Sequence, residues 1–151
     1  MNTDEAFDKV VNGIAVVTVN ARGKSNGMTA AWFTRVSFNP PLVMVSVGHS
    51  RHTHGLIGEA GSFCLNILAE GQVSLARKFG FASGRNADKF AGVSFREGKT
   101  GSPILEGVAG HLDCRLAAAY NAGDHTLFVG EVVDSGASDL KPLASRREDY
   151  T

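Results

Sequence analysis

Five consecutive polar residues, His49-Ser50-Arg51-His52-Thr53, stand between an apolar run and a segment with helical character. Two hydroxyls, a guanidinium and the N–H groups that a helix start leaves without intrahelical partners are the donors that receive a phosphate monoester. Ser and Thr ahead of a helix also serve as ordinary N-caps, with Thr53 as the cap here, so the stretch alone leaves both readings open. His49, His52 and His54 invite a metal reading as well. Their spacing crosses from a strand end into a helix, and no other Cys, His or carboxylate cluster is visible in the sequence, so no metal is expected.

Two further stretches carry chemistry-bearing residues. Asn26-Gly27-Met28-Thr29 opens an extended run with a residue tolerant of left-handed backbone and one without a side chain. Glycine there allows a flat ligand or another backbone to approach, although a plain hairpin turn explains Asn-Gly equally well. Gly123-Asp124-His125 falls where two long strand candidates turn back on each other. A histidine at that point can orient a ligand, donate a proton near neutral pH, or cap the turn with Asp124.

The elements that must position these residues read mostly as strands. Phe7, Val10 and Val11 predict a short opening helix over residues 4–11, and residues 14–19 (IAVVTV) predict a strand. NARGKSNG is a turn-rich connection, after which MTAAWFTRVSF resumes extended character until Asn39-Pro40-Pro41 ends it. LVMVSV and SFCLNIL predict two more strands, with a short helix between them that a glycine closes. Residues 70–79 predict a helix, GFASGRNADKF a surface loop, and residues 93–96 a short strand. VAGHLDCRLAAAY and HTLFVGEVVDSG predict a long hairpin about NAGD. Six or seven extended runs against two or three short helices predict a mainly β, antiparallel barrel with helices at its rim rather than a parallel α/β fold. No G-x-G-x-x-G follows a strand, so a Rossmann nicotinamide site is not indicated.

Length and charge narrow the field. A chain of 151 residues fits one domain, residues 1–151, with a core that needs no disulfide. Lys plus Arg equals Asp plus Glu at 15 each, so no global field attracts nucleic acid or an anionic membrane, and neither is expected as a partner. No signal-like or membrane-length apolar run stands out, which predicts a cytoplasmic protein. Cys64 and Cys114 sit in apolar runs and read as reduced packing residues.

Taken in order, GIAVVTV, NGMTAAWFTRVSFNPPLVMVSV, SRHT, GSFCLNIL, SGRNADKF, GDHTLFVGEV and PLASRREDY resemble the flavin reductase-like family, flavoredoxin-like members included. The resemblance implies a Greek-key split β-barrel, the FMN-binding split barrel, and a homodimer with one FMN, less often FAD, per subunit near the interface. It implies hydride transfer from NAD(P)H to flavin, supplying a partner monooxygenase or another acceptor. Residues Asn26, Gly27, Met28, Thr29, Ala30, Ala31 and Trp32 would line the isoalloxazine and ribityl chain, largely through backbone groups. Ser50, Arg51 and Thr53 would hold the phosphate with His49 nearby, and Phe79, Arg85 and Lys89 would flank the cofactor. His125 would lie on the nicotinamide side as a positioning residue. Members often carry aromatic residues after the Pro-Leu pair, where this chain has Ala144-Ser145. That departure keeps open a flavoredoxin-like electron-transfer protein without direct NAD(P)H activity.

Overall fold

The structure is a computed structural model that describes residues 3–81 and 88–144, with Phe81 described by its backbone alone. After a single helical turn, α1 (Asp4–Phe7), come β1 (Ala15–Ala21), β2 (Lys24–Ala30), β3 (Phe33–Ser37) and β4 (Leu42–Gly48). Helix α2 (His52–Ala60) leads to β5 (Ser62–Ile67), and a 3₁₀ turn (Glu70–Gln72) runs into α3 (Val73–Phe81). The remaining elements are β6 (Phe95–Glu97), β7 (Pro103–Leu105), β8 (Gly110–Ala122) and β9 (His125–Ala137).

Seven strands form one antiparallel sheet in the order β2-β1-β5-β8-β9-β4-β3, and β6 pairs with β7 separately. Its edges, β2 and β3, follow each other in sequence, joined by Ala31 and Trp32 alone. Three residue steps from Ala30 to Phe33 reach about 10 Å, whereas seven flat strands would hold their edges roughly 29 Å apart. The sheet must therefore roll up until its edges nearly meet, which gives the split barrel. The extended run predicted across residues 28–38 is thus two strands broken at Ala31-Trp32, a correction that brings the two edges of the sheet together. Trp32 stays tied to the β3 side, its carbonyl accepting from the Ser46 N–H at 2.9 Å.

Apolar residues fill two layers. Inside the barrel lie Val17, Met28, Val43, Val45, Val47, Phe63, Leu65 and Phe128, with Ile57 of α2 at one end. Outside β1, the second layer holds Ile14, Val16, Phe79, Phe90, Leu105 and Leu143. Because β1 is covered on both faces, its residues are buried almost throughout rather than alternately, the polar Thr18 included. Asn66 pins the β6–β7 hairpin to the barrel: its amide donates to the carbonyls of Val16 and Pro103, and its side-chain oxygen accepts from the Leu105 N–H. Cys64 and Cys114 are buried free thiols, as expected, and Cys114 belongs to the inner layer.

A methyl group at Gly130 would sit 2.6 Å from the Cys114 Cβ and 2.7 Å from the Phe63 ring. Gly130→Ala is expected to lower unfolding stability by about 1–3 kcal/mol through overpacking, measurable as a shifted urea midpoint at constant slope.

Other expectations shift in detail. The first hairpin turns at Arg22-Gly23, with φ of 55° and 77°, the pair of left-handed residues that a two-residue turn of matching twist demands. Asn26-Gly27 is therefore no turn: both residues lie within β2, paired with Val19 and Thr18. Helix α1 stops at Phe7, and Phe7, Val10 and Val11 remain exposed, so the apolar spacing that predicted a longer helix finds nothing to pack against among the described residues. The last hairpin turns at Gly123-Asp124, with Gly123 at φ 63°, as its composition predicts.

Candidate functional site

Strand β4 delivers the polar turn to one rim of the barrel. Its last residue, Gly48, pairs with His125, the first of β9, so the turn at 49–53 and the hairpin tip at 123–125 become neighbours. The His49 N–H donates to the Asp124 carbonyl at 2.9 Å and fixes the two loops together. No spacing in the sequence announces this register, because 77 positions separate its two residues.

Helix α2 begins two residues earlier than the sequence predicts. Arg51 is its N-cap, with extended backbone at φ −75° and ψ 138°, and no side chain caps the helix start. Thr53 is instead the second helical residue and is buried at 3% exposure. The N-capping reading of Thr53 is thereby overturned: the chain turns at Gly48, where the Arg51 N–H closes onto the Gly48 carbonyl at 3.1 Å, and the helix starts from there. What remains at the rim is a helix N-terminus with its positive dipole end, to which the N-cap Arg51 lends no side-chain hydrogen bond.

Two cations lie close enough to feel each other there. Burial lowers the Arg51 pKa, and among the described residues no carboxylate pairs with it. Lys89 is 5% exposed, its ammonium donating to the carbonyls of Gly27 at 2.9 Å and Phe79 at 3.0 Å. Burial first, and the charge of Arg51 second, push its pKa down to about 8. The surface loop expected around Lys89 thus ends by turning inward, since Lys89 and Phe90 are both buried while Asp88 is exposed. Two partly desolvated cations without a carboxylate between them fit an anion of phosphate type and charge.

Residues 26–30 present little side chain to a ligand. Asn26, Met28, Thr29 and Ala30 are 6–8% exposed. Met28 and Ala30 point into the barrel core, and the Thr29 hydroxyl donates to the Ala76 carbonyl at 2.6 Å. Gly27 faces the Phe79 ring, which a Cβ would meet at 3.3 Å, so the fully buried Phe79 is a wall behind the strand. Because β2 pairs with β1 alone, its other edge offers backbone groups, and Lys89 already takes one of them. Beyond Ala31 the chain exposes Trp32, 56% accessible, with its ring 4.9 Å from that of His125.

His125 completes the rim. Its Nδ1 lies 2.7 Å from the Asp124 carboxylate, and this hydrogen bond, followed by the imidazole charge, holds Asp124 below the ordinary carboxylate range. On its other side the ring faces Gly48, where an added Cβ would sit 3.7 Å from Nε2. Behind it, His54 of α2 places Nε2 at 2.7 Å from the Thr126 hydroxyl, with His49 edge-on at 5.4 Å and Phe128 at 5.2 Å. Burial, then the charge of His49, lowers the His54 pKa. From the sequence His54 is legible only as a candidate metal ligand and Thr126 has no role, because what joins them is the β4–β9 register. Among the described residues no group of three or more His, Cys, Asp or Glu side chains is arranged to hold a metal. Arg85, and the tail from Ser145 onward, lie outside the described residues; Leu143, just before the tail, is buried in the outer layer.

The class of protein defined so far is a small antiparallel split barrel with a cationic helix start and an exposed Trp-His pair at one rim. Residues 7–151 match the flavin reductase like domain, and the chain belongs to that family. It is 39% identical over 118 residues to a flavin reductase of Pseudomonas putida, covering 78% of this chain and 68% of that protein. It is 36% identical over 140 residues to HsaB, the reductase subunit of a flavin-dependent monooxygenase of Rhodococcus jostii, covering 92% and 70%. The NADH:FAD oxidoreductase of Streptomyces globisporus C-1027 superposes with a TM-score of 0.89 at 32% identity, covering 95% of this chain and 86% of that one.

Proposed function

We propose that this chain is an NAD(P)H:flavin oxidoreductase that supplies reduced flavin to a partner monooxygenase or a similar acceptor. The observation that carries the reading is the pair of cations, Arg51 and Lys89, beside the start of α2 and on the same rim as Trp32 and His125. Ser50, Arg51 and the first N–H groups of α2 hold the flavin phosphate, with Lys89 behind them and His49 beside them. The edge of β2 from Asn26 to Ala31, continued by Trp32, flanks the isoalloxazine, while Phe79 keeps that strand in place. Thr53, buried in the first turn, supports the phosphate site through packing.

A bound FMN or FAD supplies the hydride acceptor, and NADH or NADPH supplies the hydride. The chain contributes no nucleophile to such a reaction. It orders two flat rings face to face, excludes water with Trp32, and sets His125 against the nicotinamide with Asp124 fixing the imidazole. His125→Ala is therefore expected to slow reduction of bound flavin by roughly tenfold or more. FMN affinity should change by less than a factor of about two, because the phosphate turn is untouched; comparable loss in both quantities would remove His125 from the nicotinamide side.

The subunit acts as a cytoplasmic homodimer in this reading. Trp32 beside β3 and Tyr120 of β8 expose apolar side chains near the proposed site, and Val36 and Phe38 do so toward the far end of β3, a surface suited to a second copy. No helix among the described residues is long and apolar enough to cross a membrane. Steady-state nicotinamide oxidation tests the function: it should require the protein and added flavin together, and failure with both nucleotides and with FMN and FAD alike would contradict it.

A further inference from the structure

The turn at 49–53 and the hairpin tip are joined at two points that bracket His125. One is the backbone bond from the His49 N–H to the Asp124 carbonyl, one residue before His125. The other is the side-chain bond between His54 and Thr126, one residue after it, at 2.7 Å. Thr126 is held in register between Val47 of β4 and Asn121 of β8, so it is a firm anchor. His54 is equally constrained, with its ring against His49 and Phe128 and its backbone N–H on the Arg51 carbonyl at 3.1 Å. Any rotation of the first turn of α2 must therefore move Thr126, and with it His125, whose ring has Gly48 and Trp32 as its other neighbours.

We propose that His54 is a positioning residue: through its hydrogen bond to Thr126 it sets His125 and Trp32 relative to the phosphate turn. This deepens the proposed function and rests on His125 standing at the nicotinamide side. The side chain of His54 reaches no reacting atom in this account; it transmits the placement of α2 to the rim on which nicotinamide would rest.

Thr126→Val removes the hydroxyl at nearly constant shape, Thr126→Ser keeps it, and His54→Phe keeps a ring without the polar nitrogen. With saturating FMN and nicotinamide, Thr126→Val and His54→Phe should each slow anaerobic flavin reduction by about five- to tenfold, the scale of one lost hydrogen bond. Thr126→Ser should stay within about twofold of the parent, and the double variant should be no slower than either single one, because both changes remove the same bond. FMN affinity should hardly move, and the thermal midpoint should fall by no more than the few degrees that one lost hydrogen bond accounts for.

A second readout is independent of turnover. Trp32 is the sole tryptophan of the chain, and protonated imidazole quenches indole emission. In the flavin-free protein the acid quenching of Trp32 should change amplitude in Thr126→Val and His54→Phe but not in Thr126→Ser. Unchanged quenching and unchanged reduction rate in both disruptive variants would overturn the proposal. So would additive losses in the double variant, or a Thr126→Ser protein as impaired as Thr126→Val. If nicotinamide fails to reduce the flavin of the parent protein, the proposed function falls, while the quenching series still decides the role of His54.

Discussion

Replacing Ser50 and Arg51 together by alanine is expected to weaken FMN binding by two orders of magnitude or more while leaving riboflavin affinity nearly unchanged. Each charge-assisted hydrogen bond to the phosphate contributes roughly 1.5–3 kcal/mol, so losing the guanidinium and hydroxyl together removes at least about 3 kcal/mol. Riboflavin carries the same ring and ribityl chain without the phosphate, which makes it the internal control. Arg51 suits the test because it caps α2 through its backbone alone, and truncation leaves that backbone in place. Equilibrium titration of both flavins measures the effect. Equal weakening for FMN and riboflavin would mean that the substitutions disturb the ring site or the fold, and no change for FMN would move the phosphate elsewhere.

The flavin-free protein should also carry a pH signature of Lys89. Its pKa is about 8 in the folded chain against an ordinary 10.5, so between these values the unfolded chain holds a proton that the folded chain has released. Stability contributed by this group therefore rises with pH through that window, by as much as about 3 kcal/mol, and the buried charge costs stability below it. Cys64 and Cys114 act in the opposite sense: burial raises both pKa values above the ordinary 9.0, so their contribution falls as pH climbs past that point. Comparing the parent with Lys89→Met at each pH cancels the cysteines. The variant should be the more stable protein near neutrality, offset in part by the two lost carbonyl contacts, and the difference should shift toward the parent by about 3 kcal/mol above pH 10. FMN, by placing an anion beside the ammonium, should flatten that shift. Urea unfolding across the range reads it, and parallel curves for the two proteins would place the charge of Lys89 in solvent.

Much of this arrangement is legible from residue types. Strands β1 and β4 follow from short runs rich in β-branched residues, β5 from a short apolar run, and the turn at Gly123-Asp124 from its composition. Asn39-Pro40-Pro41 marks the end of β3 because proline cannot continue a ladder. The site motifs are equally visible as polar insertions between apolar runs. What stays hidden is set by distant contacts. Trp32 is a good strand residue and Ala31 carries no turn signal, and only the rolling of the sheet makes them a corner. Thr53 has the chemistry of an N-cap, yet the turn at Gly48 starts the helix before it. Lys89 sits in a polar stretch that reads as solvated, and its burial depends on carbonyls contributed by β2 and α3. His54 gains its partner only when β9 is laid beside β4.

Anaerobic mixing of the flavin-loaded protein with NADH, and separately with NADPH, decides whether nicotinamide reduces the flavin that this chain holds. Bleaching of the bound flavin by at least one nucleotide, in a single turnover and more slowly in His125→Ala, is the predicted result. A flavin that stays oxidised with both nucleotides, yet is reduced by a redox protein, would contradict the account and make this chain an electron carrier of the flavoredoxin kind.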